Sequence, residues 1–553
     1  MSNERIDSEV LNVPSEVTKE VVFGPKRTQA LRINFDSATS ASANMNYQFA
    51  PRCIVTNDWL LEYTICVQVV APANAIPAGV GLFASSWGKL IAPREFALLW
   101  NCASVTIRLN DQVFSCQLSD LMPYMSKCIS NKDASEYADV GPSLPDQGFF
   151  YYNDAQNTSQ NVLASYNDAR ENFVPRGTWK YDVVGSAQNN GVPTGGDPLG
   201  VAGVATTGYV QLTMTTPFMI PPLHMLALNT PVVSLSNLYN ININLNFKNS
   251  FDRILSVPSG WTSGAGNISN VFQSGNSNLH LIMLSSYPSD TKAIPLEVKL
   301  PNTIYDIKSQ SVPALPAGAS VQIDSQIYQY DSYPDAFIFY VHKRESSATS
   351  SDANSFLKLD KQFSININGD TNLLSGYTDA QMYRTIKKYV RMDFQEFLGK
   401  TRANIGGVLT SYPTSGPVYV LRPAIDLPIS SESIAPNMAG SRIQLQFQNL
   451  FVVNGTSNAF TSNDLEFVVI SVRSGEVTLT PSSGKQTSNT IVQADVVSAL
   501  TKPAMYTGEL KELEGGRMRL TTVRSGMGRS GGGRSGGSIP MGTAVPKSHT
   551  SRF

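Results

Sequence analysis

Four histidines, His224, His280, His342 and His549, and five cysteines, Cys53, Cys66, Cys102, Cys116 and Cys128, make up the imidazole and thiol chemistry of this 553-residue chain. Metal binding and nucleophilic catalysis need such groups clustered, as CxxC or HExxH ligands or as a nucleophile within reach of a base. The histidines are scattered and no cysteines stand at CxxC spacing, so core or surface roles are expected for each histidine and reduced, partly buried thiols for the cysteines. Gly526-Met-Gly-Arg-Ser-Gly531 spells a formal GxGxxG, but without the preceding strand and following helix that a dinucleotide site requires. No Walker loop is present, nor a nucleophile elbow set between strand and helix. The acids Asp58, Asp111, Asp335 and Glu466 stand singly in turns or on strands. An enzyme such as a β-sandwich hydrolase is therefore the weakest reading, and no cofactor or metal is expected. Asn157, Asn267 and Asn454 begin glycosylation sequons, which are expected to be unmodified because Met1 to Glu20 has no apolar core resembling a secretion signal.

The chemistry that does stand out is electrostatic and lies at the C-terminus. From residue 517 onward there are six arginines (Arg517, Arg519, Arg524, Arg529, Arg534 and Arg552) and one lysine, with no acid, spaced by Gly and Ser. Such a segment is flexible and cationic, suited to transient contact with nucleic acid, an anionic membrane or a scaffold. A disordered, solubilising terminus is the plain alternative. The net charge of the whole chain is −1, so it is no bulk polyanion binder.

The remainder of the chain must supply the elements that carry such a tail. Apolar residues make up 42% and charged residues 15%, against about 25% in ordinary soluble proteins. That balance suits a surface largely covered by copies of itself. No run approaches 18 uninterrupted apolar residues, and the chain is expected to be made soluble inside a cell. A polar arm, 1–28, precedes the patterned region. Strand signals follow at 58–70, where Tyr63, Ile65, Val67 and Val69 share a face, then at 104–110, 208–214, 238–247 and 279–284. Between 131 and 206 the pattern dissolves into Gly, Asn, Asp, Ser and Pro around the aromatic run Phe149, Phe150, Tyr151 and Tyr152. So long a loop is functional or folds onto a partner. The first β-domain thus covers 29–290, and Pro288 and Pro295 bracket the connection to a second, 291–500. There, strand signals recur at 336–342, 363–368, 417–421, 442–453 and 465–472. One helix is expected, opened by the capping-box pair Thr378 and Gln381 and carrying Met382, Ile386, Tyr389, Val390, Phe394 and Phe397 before Gly399. Residues 501–553 form the tail.

The two halves repeat a plan. Val105 to Asp111 leads to a short helical segment at 119–128, and Phe363 to Gly369 leads to the helix at Thr378; likewise 238–247 is answered by 442–451. Duplication and a chance alignment of alternating strands both account for this.

The strand and Asn turn at Ser104 to Asp111, the strand Tyr333 to Arg344 followed by the Ser/Asn-rich 346–355, and the closing pair 441–453 and 465–479 together resemble the double jelly-roll major capsid proteins of adenovirus hexons, virophages and Polinton-like viruses. The resemblance spans about 29–500 and rests on the order and spacing of elements. It implies an all-β chain of two tandem eight-stranded jelly-roll β-sandwiches, with the loop insertion 131–206 in the first, a helix in the second and a disordered C-terminal tail. It also implies a structural virion protein, made in the host cytoplasm and assembled in nucleus or cytoplasmic factories, whose homotrimers form pseudo-hexagonal capsomers. These would tile an icosahedral shell beside penton or minor capsid proteins. The insertion is then expected to build the tower or trimer clasp, with Phe149, Phe150, Tyr151 and Tyr152 between subunits or packed on their own barrel. Leu513-Glu514-Gly515-Gly516-Arg517 looks like the signal read by maturation proteases of adenovirus type, whose cut after Gly516 would release the basic tail. A two-domain binding protein, lectin-like or a receptor-binding spike, is the competing reading.

Overall fold

The computed structural model describes residues 28–128, 180–218, 234–264, 278–284, 298–427, 443–488, 512–513 and 517–518, apart from short interior breaks. The arm 1–27, the segment 129–179 with its aromatic run, the connection near 290 and most of the tail lie outside these residues. Contacts divide the chain into residues 1–496 and 497–553.

The strand Leu60–Ala71 alternates β-branched and aromatic side chains inward, so that Leu61, Tyr63, Ile65, Val67 and Val69 are all buried. It pairs along its whole length with Thr206–Pro217. Its other edge meets Asn278–Leu284, which also carries Thr28–Asn34. A second sheet centres on Asn240–Phe247, held between Ser42–Gln48 and Cys102–Leu109, with Gln112–Gln117 closing a hairpin on the latter. Period-two alternation divides this central strand cleanly. Ile241, Ile243, Leu245 and Phe247 are buried, while two asparagines of the opposite face bond across strands, Asn242 to Asn44 at 3.3 Å and Asn246 to Ser104 at 3.0 Å. The hairpin turns on Asn110, held at φ 53°, and its Oδ1 accepts from the N–H groups of Tyr239 and Asn240. The helix Leu118–Cys128 follows directly.

The second half has the same order. Its smaller sheet centres on Ile443–Gln448 between Tyr328–Tyr330 and Ser364–Ile367, and Asp370–Leu373 completes the hairpin before the helix Asp379–Ile386. Its larger sheet is built on Leu465–Leu479, flanked by Val298–Ser311 and Ala336–Lys343. Aromatic rings fill the space between these two sheets: Phe339, fully buried, stacks on Tyr419 at 5.0 Å and meets Phe447 at 4.8 Å. The matching hairpin, helix and central strand are the repeat expected from the sequence.

Several details differ from the sequence reading. The run 442–453 is two strands, because Asn449 at φ 55° breaks it: Ile443–Gln448 lies in the smaller sheet and Leu450–Val453 in the larger. Asp324 fixes the corner by accepting the Asn449 N–H at 2.8 Å. The helix from Thr378 has the expected capping box but stops at Ile386, and Phe394–Phe397 forms a separate turn. Just beyond the helix end, Asp426 takes Lys388 Nζ at 2.6 Å and the Tyr389 hydroxyl at 2.9 Å. The supposed loop 131–206 ends in structure: Lys180–Gly185 pairs with Thr206–Pro217, and Ala187–Asn189 with Val192–Thr194.

Candidate functional site at the seam of the two halves

Within residues 1–496, the two sandwiches meet through charged side chains that are almost fully buried. Arg94 follows the two-residue strand Ala92–Pro93, which pairs with Leu255–Ser256. This pairing brings Arg94 and Arg253 side by side, 0% and 2% exposed. Both reach into the second half. Arg94 Nη2 donates to the carbonyls of Ser350 (3.1 Å) and Asp352 (2.5 Å), and Arg253 Nη1 to those of Thr349 (3.2 Å) and Asp352 (2.7 Å). The Arg253 guanidinium also lies 5.3 Å from the Trp100 ring, and its backbone N–H is held by Asn101 Oδ1.

The receiving loop is shaped for this. Asp352, 1% exposed, accepts through Oδ2 from the Thr349 N–H at 2.7 Å and from Lys343 Nζ at 2.8 Å, turning three carbonyls toward the arginines. Ser350 adds two contacts across the seam, its Oγ accepting from Ser263 N at 2.8 Å and its carbonyl from Val257 N at 3.4 Å. Lys248 and Glu345 pair at 3.0 Å beside them. Hydrogen bonds to carbonyls offset the cost of burying a guanidinium, and its planar fork delivers several directed bonds at once.

A second contact lies on the far side of the strand Ala336–Lys343. The buried Tyr340 hydroxyl donates to the Asp120 carbonyl at 2.5 Å, docking the first helix on the second sandwich. Beside it His342, 3% exposed, has Nε2 3.0 Å from Glu466 Oε1; the separation suits an ion pair, although the angle does not make a hydrogen bond. Burial, reinforced by the Glu466 carboxylate, raises the Asp120 carboxyl above its usual range. For Glu345 burial acts in the same direction, but Arg253 and then Lys248 override it and leave that carboxyl below its usual range. A groove of about 480 Å³ opens next to Asp120 between Gln112–Gln117 and the strand from Val298, lined by Phe114, Cys116, Leu121, Ile304 and Tyr305. Its one thiol, Cys116, is pushed up to about 12 by burial and is a poor nucleophile.

Sequence reasoning did not find this seam. Arg94 and Arg253 sit in short irregular segments that have no periodic signature. In the Ser/Asn-rich stretch 346–355, Ser350, Ser351 and Asp352 are buried, and the first half supplies donors to Ser350 and Asp352. Glu466, read as a solitary acid, stands with His342 and within 3.6 Å of Arg344 Nε. His342 is a core histidine. His280 lies on the strand Asn278–Leu284, and His224 and His549 are outside the described residues. Asn454 is 1% exposed and its Nδ2 donates to the Pro316 carbonyl at 3.0 Å, so that sequon is occupied by the fold itself. Cys66 and Cys102 are buried free thiols. Among the described residues no three His, Cys, Asp or Glu side chains gather as metal ligands. Phe149, Phe150, Tyr151 and Tyr152 lie outside the described residues, as do Arg524, Arg529 and Arg534. At the expected cleavage signal, Glu512–Leu513 pairs antiparallel with Arg517–Met518, leaving 514–516 between them.

Two outcomes follow from the seam. Arg253→Ala takes the Arg253 donor from the Thr349 carbonyl, takes one of two arginine donors from the Asp352 carbonyl and removes a favourable charge from beside Glu345, which keeps Lys248; it is expected to cost about 3–5 kcal/mol, read from the denaturant midpoint. Arg253→Lys, which lacks the fork, recovers only part of this loss. Asp120 has its folded pKa above its unfolded one, so its contribution is favourable at low pH and is lost as pH rises through the folded value. Asp120→Asn is therefore expected to be more stable than the parent at neutral pH, with the difference closing on acidification to about pH 3, below the ordinary Asp value. An unchanged gap across a pH series of thermal melts would count against this.

No curated protein matches the chain in sequence. A family model described as the Sputnik virophage major capsid protein first domain matches residues 4–284, and one described as the major capsid protein V20 C-terminal domain matches residues 303–475. Among solved structures, the Sputnik virophage structure by cryo-EM aligns with a TM-score of 0.68 at 15% identity, covering 90% of this chain and 96% of that one. The crystal structure of the mavirus major capsid protein aligns with a TM-score of 0.63 at 13% identity, covering 91% and 98%. Both share the double jelly-roll fold derived above. With just over half of its residues matched by the first of these models, the chain belongs to the Sputnik virophage major capsid protein family.

Proposed function

We propose that this chain is the shell subunit of an icosahedral virion, working as a homotrimer whose pseudo-hexagonal outline lets neighbouring capsomers tile. The observation that carries the proposal is the seam. Two sandwiches on a flexible linker would lose orientational freedom at every lattice contact, whereas two sandwiches clamped by Arg94 and Arg253 enter the lattice as one body. Rigid barrels with variable end loops are how closed β architectures keep sheet edges protected while changing partners. The barrels divide near residue 290, between the ranges that the two family models match.

The remaining assignments rest on sequence. The insertion 131–206 supplies the tower or the clasp between subunits, with Phe149, Phe150, Tyr151 and Tyr152 buried between subunits, since contiguous aromatics belong in interface cores. Leu513, Gly515, Gly516 and Arg517 form a maturation-protease signal, and the arginines that follow contact nucleic acid or an internal membrane until they are released. Penton or minor capsid proteins complete the shell, which is built in the nucleus or cytoplasmic factories of the host.

Electron microscopy and solution mass measurement of the purified full-length chain are expected to show trimers and shell-like or hexagonally packed arrays. Dispersed monomers throughout a range of salt and pH would overturn the proposal. In purified particles, C-terminal peptide mapping is expected to find chains ending at Gly516. Chains ending at Arg517 or beyond would remove the protease from this account.

A further inference from the structure

Among the described residues seven large apolar side chains are exposed, and four of them occupy one place: Val80 (37%), Leu199 (58%), Val201 (55%) and Val204 (54%). They sit on two interlocked loops of the first sandwich, 72–81 and 195–205. Gly79 N–H donates to the Gly200 carbonyl at 3.0 Å, and Gly200 N–H to the Val80 carbonyl at 2.9 Å. Asn74, in the left-handed region at φ 64°, accepts the Gly203 N–H at 2.8 Å. At Gly200 a Cβ would stand 2.5 Å from the Pro77 carbonyl oxygen, so the close approach of the two loops depends on glycine. The patch is thus exposed but not loose.

It is also uncharged. Neither loop carries Lys, Arg, His or Glu, and the lone acid, Asp197, turns inward, its two oxygens accepting the N–H groups of Phe83 and Ala84 at 2.9 Å each. The absence of cations excludes a polyanion as partner, and the absence of Lys, Arg, Trp and Tyr from both loops removes the usual anchors to a lipid headgroup region. A neutral, rigid, apolar projection fits a protein surface of equally low charge, and only 15% of this chain is charged. We propose that Val80, Leu199, Val201 and Val204 form a contact by which one copy of this chain docks on a second copy. The proposal rests on the shell-subunit reading and assigns that reading one of its interfaces.

The test uses the full-length chain. Leu199→Asp and Val201→Asp place a charge in the patch and are expected to weaken self-association by at least about tenfold in sedimentation, because an unpaired charge in an apolar interface costs more than one decade of affinity. Their melting curves by circular dichroism are expected to stay unchanged. A photo-crosslinking amino acid at position 201 of the otherwise unaltered chain is expected to give adducts of two chain masses, a readout that stands even where an Asp variant folds poorly. Self-association of the parent with neither weakening in a folded Asp variant nor self-adducts at 201 would overturn this contact while leaving the shell reading intact. A parent that stays monomeric would overturn both. Vesicle flotation lost on Val201→Asp, without self-adducts, would reassign the patch to a membrane.

Discussion

Two guanidinium groups with almost no access to water hold this protein in its shape, and much else follows from the cost of putting them there. An unpaired buried charge costs several kcal/mol, and one short loop offsets that cost for Arg94 and Arg253 by turning the carbonyls of Thr349, Ser350 and Asp352 toward them. That loop needs Asp352 to accept from Thr349 and Lys343, and Lys343 ends the strand Ala336–Lys343 at the centre of the second core. Orientation therefore passes from one hydrophobic core to the other through directed bonds. Apolar contact alone, being non-directional, would permit sliding.

The same constraint explains why two similar sandwiches are not interchangeable. Each has a hairpin, a following helix and a central strand in the same order, yet among the described residues the first brings Arg94 and Arg253 to the seam and the second brings the carbonyl loop. Their free edges differ too. Gln112–Gln117 ends one sheet and Val298–Ser311 another, and the two border the groove beside Asp120. Tyr340 closes the other end of the joint, so the strand that carries the core also carries both attachments.

How much of this was legible depended on what each residue had to do. Strands that bury Val, Ile and aromatic side chains announced themselves by alternation, and Thr378 with Gln381 marked the helix start. Ser42–Gln48 did not, because its inward positions include Ala43 and its neighbours are asparagines and a serine. Val298–Ser311 is an edge strand with Pro301 and three charged residues, Lys299, Asp306 and Lys308, devices that protect an edge and also erase the pattern of a strand. The split of the helix after Ile386 had no local signal, and Asp426, which holds Lys388 and Tyr389 just beyond it, lies 40 residues away from Ile386 in sequence. The arginine clasp was the least visible of all. A buried cation needs partners in space, and nothing in the segments around Arg94 or Arg253 names them.

Charge placement joins the seam to the surface. With few ionisable groups to distribute, the chain spends Arg94, Arg253, Lys343, Asp352, Lys248 and Glu345 within itself, where low dielectric and fixed geometry make them specific. The loops 72–81 and 195–205 are left neutral and apolar. A subunit that must repeat one contact many times gains from this division. Charged rims speed encounter but make like copies repel, while neutral apolar contacts associate more slowly and depend little on salt. Individually weak, such contacts add across a closed ring only if each subunit keeps its shape between them. That requirement returns to the two arginines, since a seam that slid would spoil in one half the register set by contacts made through the other.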